Sequence, residues 1–306
     1  MKIVSLLPSA TELVYALGLG DQLEGVTFEC DYPPEARTKP VVSDTALPTD
    51  RPRTARETDD LVTAFMDRRE PLYVLDKELI SKIQPDLILT QDLCRVCAVP
   101  SGQIEDALDE LGCSSEVVSM DPNGLEDILE SFMEVGRATG TETRAKELVE
   151  ELRERIDQVR ARAVRLPEIR TFCLEWLDPP FAGGHWIPEM VELAAGRNLL
   201  STAREPSRQV TWRQVADASP EVVVFMPCGY YLEEAEDEGA RIYDVPEFRE
   251  TTARAEGTVY ATDASSYFSR PGPRIVDGLD ILAWAIHPDV YPQPEPGTIT
   301  RLPAPA

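Results

Sequence analysis

Lys2–Ile3–Val4–Ser5–Leu6–Leu7–Pro8–Ser9–Ala10–Thr11–Glu12 opens the chain, and its reading decides the fold. A short apolar run ends in Pro8, and Ser9 with Glu12 has the S-x-x-E spacing of a helix capping box. This predicts a buried strand feeding directly into a helix capped by Ser9. Open α/β sheets bind small molecules at such strand-to-helix ends, where helix amides point outward. A lone Lys2 and five apolar residues are too short for the apolar core of an export signal. The expectation on that ground is a cytoplasmic protein; an exported one follows if the true N-terminus was trimmed.

Working outward, the same theme recurs. Leu23–Val26 reads as a strand emptying into Glu29–Cys30–Asp31–Tyr32–Pro33–Pro34. Ser43 to Asp60 is polar, with Pro48 and Pro52, and reads as an exposed loop. Helical spacing returns at Leu61, Ala64 and Phe65 and again at Leu79, Ile80 and Ile83. Pro85–Gln91 is a central strand ending in the loop Asp92–Pro100. Short strands alternating with helices argue for a doubly wound, mainly parallel sheet.

A helix over Leu125–Ala138, with Asn123 as its cap, precedes one over Thr141–Arg165. The second keeps Leu148, Val149, Leu152, Ile156 and Val159 on one face. After Pro167 the strand–helix pattern resumes with Ile169–Leu174, Glu221–Met226 and Thr258–Thr262. A final helix carries Ile275, Leu279, Leu282 and Ile286, and the Pro-rich tail from Pro292 reads as loosely held. The fold class expected is therefore α/β: two doubly wound lobes joined by a single long helix, with a ligand cleft between them. The boundaries are an N-terminal lobe over 1–140, a connecting helix over 141–166 and a C-terminal lobe over 167–306.

With 306 residues, the chain suits two lobes. A formal charge of −25 excludes a general nucleic-acid binder, because phosphate contacts need clustered Lys and Arg. Lysine supplies only five of the 30 basic residues, an acidic, Lys-poor balance that suits a high-salt environment. No apolar run approaches the roughly 20 residues of a membrane-spanning helix.

Six strand exits gather unusual side chains. Ser9 and Thr11 offer hydroxyls, while Tyr32, Trp176, Trp186, Tyr230 and Tyr267 offer ring faces that stack on or line a large flat ligand. Gln91, Asp92 and Arg270 are placed to bond peripheral amides or carboxylates. His185, between Gly184 and Trp186, either meets ligand, coordinates a metal or locks its own loop. Cys94-x-x-Cys97 has no second close pair, which a zinc ribbon requires. Cys30, Cys94, Cys97, Cys228 and His185 nevertheless form the candidate set for a metal or thiol-based redox site, the alternative function. A Ser9–His185–Asp178 triad lacks any nucleophile elbow, so no catalytic residue is assigned and no enzyme is expected.

These residues resemble the helical-backbone class of ABC-importer solute-binding proteins, specifically the vitamin B12-binding and iron–siderophore-binding members. "IVSLLPSATELVYALGLGDQLEGVT", "PDLILTQ", "ELAAGRNLL" and "GPRIVDGLDILA" carry the likeness in order and spacing. Within it, "ECDYPPEA", "TQDLCRVCAVP", "EWLDPPFAGGHWIPEM", "MPCGYYLEEA" and "SSYFSRPGPR" resemble a cobalamin-binding-protein-like subgroup. The resemblance implies a corrinoid or similar metal chelate as ligand, and a rigid connector with small lobe closure. It also implies an ABC permease as partner, docked through one acidic residue on each lobe. In the second lobe that position falls at Arg213, and the tryptophan that covers the corrin in some members falls at Ser207. Both departures point to a cytoplasmic carrier, store or sensor.

Overall fold

A computed structural model describes residues 1–51, 53–93, 99–111 and 113–304. The chain divides into two compact units, one of Met1–Pro122 with Glu126–Glu150 and one of Asn123–Leu125 with Glu151–Ala306.

Unit 1 opens with β1 (Ile3–Ser5), α1 (Pro8–Ala16), β2 (Leu23–Thr27) and β3 (Val41–Thr45). It continues through α2 (Ala55–Arg68), β4 (Tyr73–Leu75), α3 (Lys77–Ile83), β5 (Leu87–Thr90), α4 (Ser101–Leu111) and β6 (Glu116–Ser119). Two helices follow, α5 (Leu125–Thr139) and α6 (Glu142–Ala163), and the division between the units falls within α6. The sheet order is β4-β3-β2-β1-β5-β6, parallel except where β4 runs against β3. The chain winds outward from β1 on one side and then returns to place β5 on its other side. That makes β1 the topological switch point, where open sheets leave a crevice.

The first stretch folds as its apolar run requires: Ile3 and Val4 are fully buried in β1. The helix, however, starts two residues earlier than its S-x-x-E spacing predicts. Leu7 is the N-cap, no side chain caps it, and Pro8 is the first helical residue. Proline's fixed φ suits that first position and its missing N–H needs no partner there. Ser9 and Glu12 consequently lie inside the helix, buried in its first turns.

The Ser43–Asp60 segment is not wholly loop. Val42 and Ser43 are buried in β3, and Thr54 opens α2 with a reciprocal capping box to Glu57. The C-terminal tail also differs from expectation, as described below.

Unit 2 begins with β7 (Ile169–Leu177), β8 (Pro180–Ala182), α7 (Ile187–Leu193), β9 (Gly196–Asn198) and β10 (Arg208–Gln209). Then come α8 (Trp212–Ala218), β11 (Val222–Phe225), α9 (Leu232–Gly239), α10 (Thr252–Glu256) and β12 (Val259–Thr262). The unit closes with α11 (Ala264–Tyr267), α12 (Ile275–Ile286) and β13 (Ile299–Arg301). Its sheet order is β10-β8-β7-β11-β12-β13, with β9 also paired to β7. The core strands β7, β11 and β12 are parallel, and β8, β10 and β13 are antiparallel additions.

The four apolar positions read for the last helix, Ile275, Leu279, Leu282 and Ile286, are all buried in α12. Arg155 of α6 holds the outer face of α12, reaching Asp277 at 2.6 Å and Asp280 at 2.7 Å. The Pro-rich tail is tied down rather than loose. Residues 299–301 pair with β12, Leu302 is buried, and Tyr243 donates its hydroxyl to the Leu302 carbonyl at 3.0 Å.

His287 ends α12 with Nε2 3.4 Å from the Ala195 carbonyl, and burial holds its pKa below the ordinary 6.5. The unfolded chain therefore takes up this proton at higher pH than the folded one, so stability falls as pH drops below 6.5. His287→Gln is expected to make the fall in Tm between about pH 7 and about pH 5 shallower than in the parent. An unchanged slope would show that this histidine contributes nothing to acid sensitivity.

Candidate ligand-binding site

In unit 1 the exits of β1, β2 and β5 meet at one edge. The N–H of Leu6, just beyond β1, donates to the Leu89 carbonyl of β5 at 2.9 Å. Thr11 donates its hydroxyl to Ser5 Oγ at 2.8 Å and lies 3.0 Å from the Cys30 sulfur. Ser5 in turn donates to the Leu7 carbonyl at 2.9 Å. Thr11 and Cys30 are thus buried fasteners that set the shape of this edge. Ser9 is buried beside them, 1% exposed.

Asp92 is engaged in the same way. Its carboxylate accepts the Ser101 N–H at 2.9 Å and the Ser101 hydroxyl at 2.5 Å, at the first residue of α4. A carboxylate suits that end, where unpaired amides carry partial positive charge. Gln91, one residue earlier, is only 5% exposed, yet its Oε1 has no hydrogen-bond partner among the described residues. Tyr32 is 44% exposed and Phe28, just past β2, is 41% exposed. Phe28 was not singled out by sequence, although its place one residue beyond a strand was a usable signal. Cys94 and Cys97 lie outside the described residues.

Unit 2 assembles a wall of rings. Trp176, near the end of β7, meets Tyr230, beyond β11, edge to face at 5.6 Å. The Tyr230 carbonyl accepts the Ser265 N–H at 3.0 Å, which ties the β11 exit to α11. Trp186 donates its indole N–H to the Phe268 carbonyl at 3.0 Å, and the His185 ring lies 5.6 Å from the Trp186 ring. That indole bond is what brings the glycine-rich turn to the site. The turn is not an ordinary parallel-strand exit, because β8 runs antiparallel to β7.

Tyr267 lies 5.6 Å from the Arg274 guanidinium, a cation–π distance. Arg270 is 9% exposed and donates to the Tyr231 hydroxyl at 3.3 Å. Tyr231, itself 39% exposed, and Arg274 are further members that sequence reading passed over.

Two buried polar atoms in this wall have no hydrogen-bond partner among the described residues: Trp176 Nε1, a donor, and His185 Nε2. Each such atom costs about 1–3 kcal/mol unless a bound group satisfies it. Burial pushes the His185 pKa down and the Tyr230 phenol up, the latter aided by Glu238 and Glu234. Both side chains are therefore uncharged near neutrality.

The sulfur-based alternative gains little from the geometry. Cys30 sits against Thr11, Cys173 is sealed in β7 with burial holding its thiol protonated, and Cys228 is exposed. Among the described residues, no three His, Cys, Asp or Glu side chains are grouped to hold a metal ion.

Comparison with known proteins gives a consistent set of likenesses. The model of the family described as "Periplasmic binding protein" matches residues 3–266. The vitamin B12-binding protein of Yersinia pestis (strain Pestoides F) is 27% identical over 226 residues, covering 73% of this chain and 68% of the relative. The crystal structure of the periplasmic vitamin B12 binding protein of Vibrio cholerae superposes with a TM-score of 0.67 at 24% identity, covering 93% of this chain and 96% of the other. A periplasmic heme binding protein from Pseudomonas aeruginosa gives 0.71 at 20% identity, covering 97% and 96%. These likenesses overturn the expectation of a cytoplasmic location, since the family and these structures are periplasmic. That expectation rested on the first dozen residues, which report where a sequence begins and not where its folded units work, and on the departures at Arg213 and Ser207, which concern single surface and site positions.

Proposed function

Because the chain belongs to the periplasmic binding protein family, we propose that it binds a corrinoid, or a closely similar flat metal chelate, against the ring wall of unit 2. As a member of that family it is a solute-binding protein of the ABC-importer kind, working with a permease, and not an enzyme.

One observation carries the ligand reading. Trp176 and His185 present buried polar atoms without a partner among the described residues, on a surface rich in rings. A broad apolar face with a few fixed polar contacts suits a macrocycle better than a sugar or amino acid, which would need many hydrogen-bonding groups. Arg270 and Arg274 supply positive charge at its margin, suited to carboxylates or amide oxygens of a macrocycle's periphery. On unit 1, described by itself, Gln91 presents a polar group and Phe28 and Tyr32 present exposed rings at the sheet edge.

The permease partner fits the charge at Arg213 better than sequence alone indicated. Arg213 is paired with Asp217 at 2.5 Å and with Glu250 at 3.1 Å. One cation with two carboxylates leaves this exposed surface one negative charge in sum, so a basic socket is not repelled.

Titration with cobalamin, aquocobinamide and hemin, followed by visible absorption and thermal melting, tests the ligand class. A corrinoid is expected to change the spectrum until the site is full and to raise Tm with the logarithm of its free concentration above Kd. Trp176→Phe keeps a ring and removes the N–H, and should weaken binding about three- to tenfold, the worth of one hydrogen bond. No response to either corrinoid removes the corrinoid reading, and a response to hemin alone moves it to haem.

A further inference from the structure

We propose that the free side of β6 in unit 1 docks a basic, extended segment of a partner protein, which joins the sheet as an added strand independently of any bound solute. β6 ends the order β4-β3-β2-β1-β5-β6, and only β5 pairs with it. The N–H groups of Glu116 and Met120 point inward, donating to Asp86 at 2.9 Å and to Thr90 at 2.8 Å. Alternation along the strand then turns the main-chain groups of Val117 and Ser119 outward. Their two N–H and two carbonyl groups have no bond among the described residues.

Proteins guard such an edge by keeping it very short or by placing Lys, Pro or a bulge on it. β6 has none of these devices. Its four residues exceed the three of β4, the two of β10 and the three of β13. Its register with β5 is unbroken from Leu87–Glu116 to Thr90–Ser119, whereas β1–β2 and β2–β3 both slip. An open groove of about 590 Å³ lies beside it, lined by Glu116, Val117 and Val118 of β6 and by Glu134, Arg137 and Ala138 of α5. The helix therefore leaves room along the strand and does not seal it.

Charge selects the occupant. Glu116 and Glu134 line the groove, and exposed Glu130 lies one turn before Glu134. Among the described residues none of these three carboxylates is in an ion pair, and Arg137 is the only cation of the lining. A second copy would set the same carboxylates, and another net charge of −25, against the first. A segment with Lys or Arg at alternate positions instead pairs its main chain with Val117 and Ser119 and its cations with the glutamates.

The probe is a fluorescein-labelled peptide of alternating lysine and valine, about eight residues long, within the ordinary span of a strand. Fluorescence anisotropy should show it binding the parent. A peptide with proline at the valine positions, equally charged but unable to pair, should bind at least tenfold more weakly. With the first peptide bound, hydrogen exchange should slow at the amides of Val117 and Ser119. Val117→Pro removes an outward N–H and no bond to β5, a change that edge strands tolerate, and should weaken binding at least tenfold. Glu116→Lys combined with Glu134→Lys, both at exposed positions, should do the same with Tm close to the parent's. No binding up to about 1 mM peptide, the weak end of specific affinities, overturns the docking edge. So do equal binding of the two peptides, unchanged exchange at the two amides, or binding that survives in either folded variant. Self-association of the parent that Val117→Pro abolishes assigns the edge to a second copy and overturns the basic partner.

Discussion

Gly184→Ala is expected to lower Tm by about 6–12 °C, equivalent to about 3 kcal/mol at the upper end of overpacking costs. A β-carbon at this position would lie 2.3 Å from Ser207 N, 2.5 Å from the Glu205 oxygen and 2.5 Å from the Pro206 carbonyl carbon. All three are backbone atoms, so no flexible side chain can yield. Relief requires the 183–186 turn to part from the 205–207 segment. That breaks the bond from Gly184 N–H to Ser207 Oγ at 3.1 Å and the His185–Glu205 pair at 2.6 Å. Because His185 and Trp186 follow immediately, ligand binding should fall with stability. Gly102→Ala is the matched control: a β-carbon there would meet nothing within 4 Å, and Tm should hold or rise slightly. A Gly184→Ala protein that melts with the parent would refute the close approach.

Phe225→Ala should cost about 3–5 kcal/mol, read from the midpoint of urea denaturation. Phe225 is fully buried at the end of β11, the strand between β7 and β12. Its ring fits against the bare backbone of Gly239 in α9, where an added β-carbon would come within 2.9 Å of it. Strand and helix are thus matched as large against small, and truncation leaves a cavity that neither side can close. Phe225→Leu keeps most of the volume and should cost about 1 kcal/mol. Equal losses for the two variants would mean that the ring's shape, not the filled volume, holds the strand.

Much of the fold was legible because it follows from periodicity. The strands around Ile3–Ser5, Leu87–Thr90, Val222–Phe225 and Val259–Thr262 are short apolar runs buried on both faces, which parallel sheets require. The helix of Glu142–Ala163 announced itself by the spacing of Leu148, Leu152, Ile156 and Val159. What escaped was set by partners distant in sequence. β8, β10 and β13 are two or three residues long and exist because a longer neighbour pairs with them. The amide of Leu125 is satisfied by Glu189 at 2.8 Å, a residue of α7 that no local spacing identifies as a cap.

The candidate site was legible as a set of residue types and less so as a set of roles. Trp176 and Tyr230 do come together through a ring contact, and Trp186 meets Phe268 through a hydrogen bond to its carbonyl. Thr11, Cys30 and Asp92 have the chemistry of ligand contacts but are engaged in holding loops and a helix start. Sequence cannot separate a hydroxyl that faces a ligand from one that faces the strand before it. That difference lies in a rotamer and in burial, neither of which has a period.

The pairing of β13 with β12 bears on the order in which the protein matures. β12 leads directly into Tyr267 and Arg270, and its free edge is closed by Ile299–Arg301, some way downstream. A ribosome adding about 5–20 residues per second delivers Glu150, which completes the first unit, well before it reaches that closing strand. The sheet of the second unit stays open until Leu302 has emerged. Competence to hold a ligand is therefore acquired late by the nascent polypeptide, after its first unit is already free to fold.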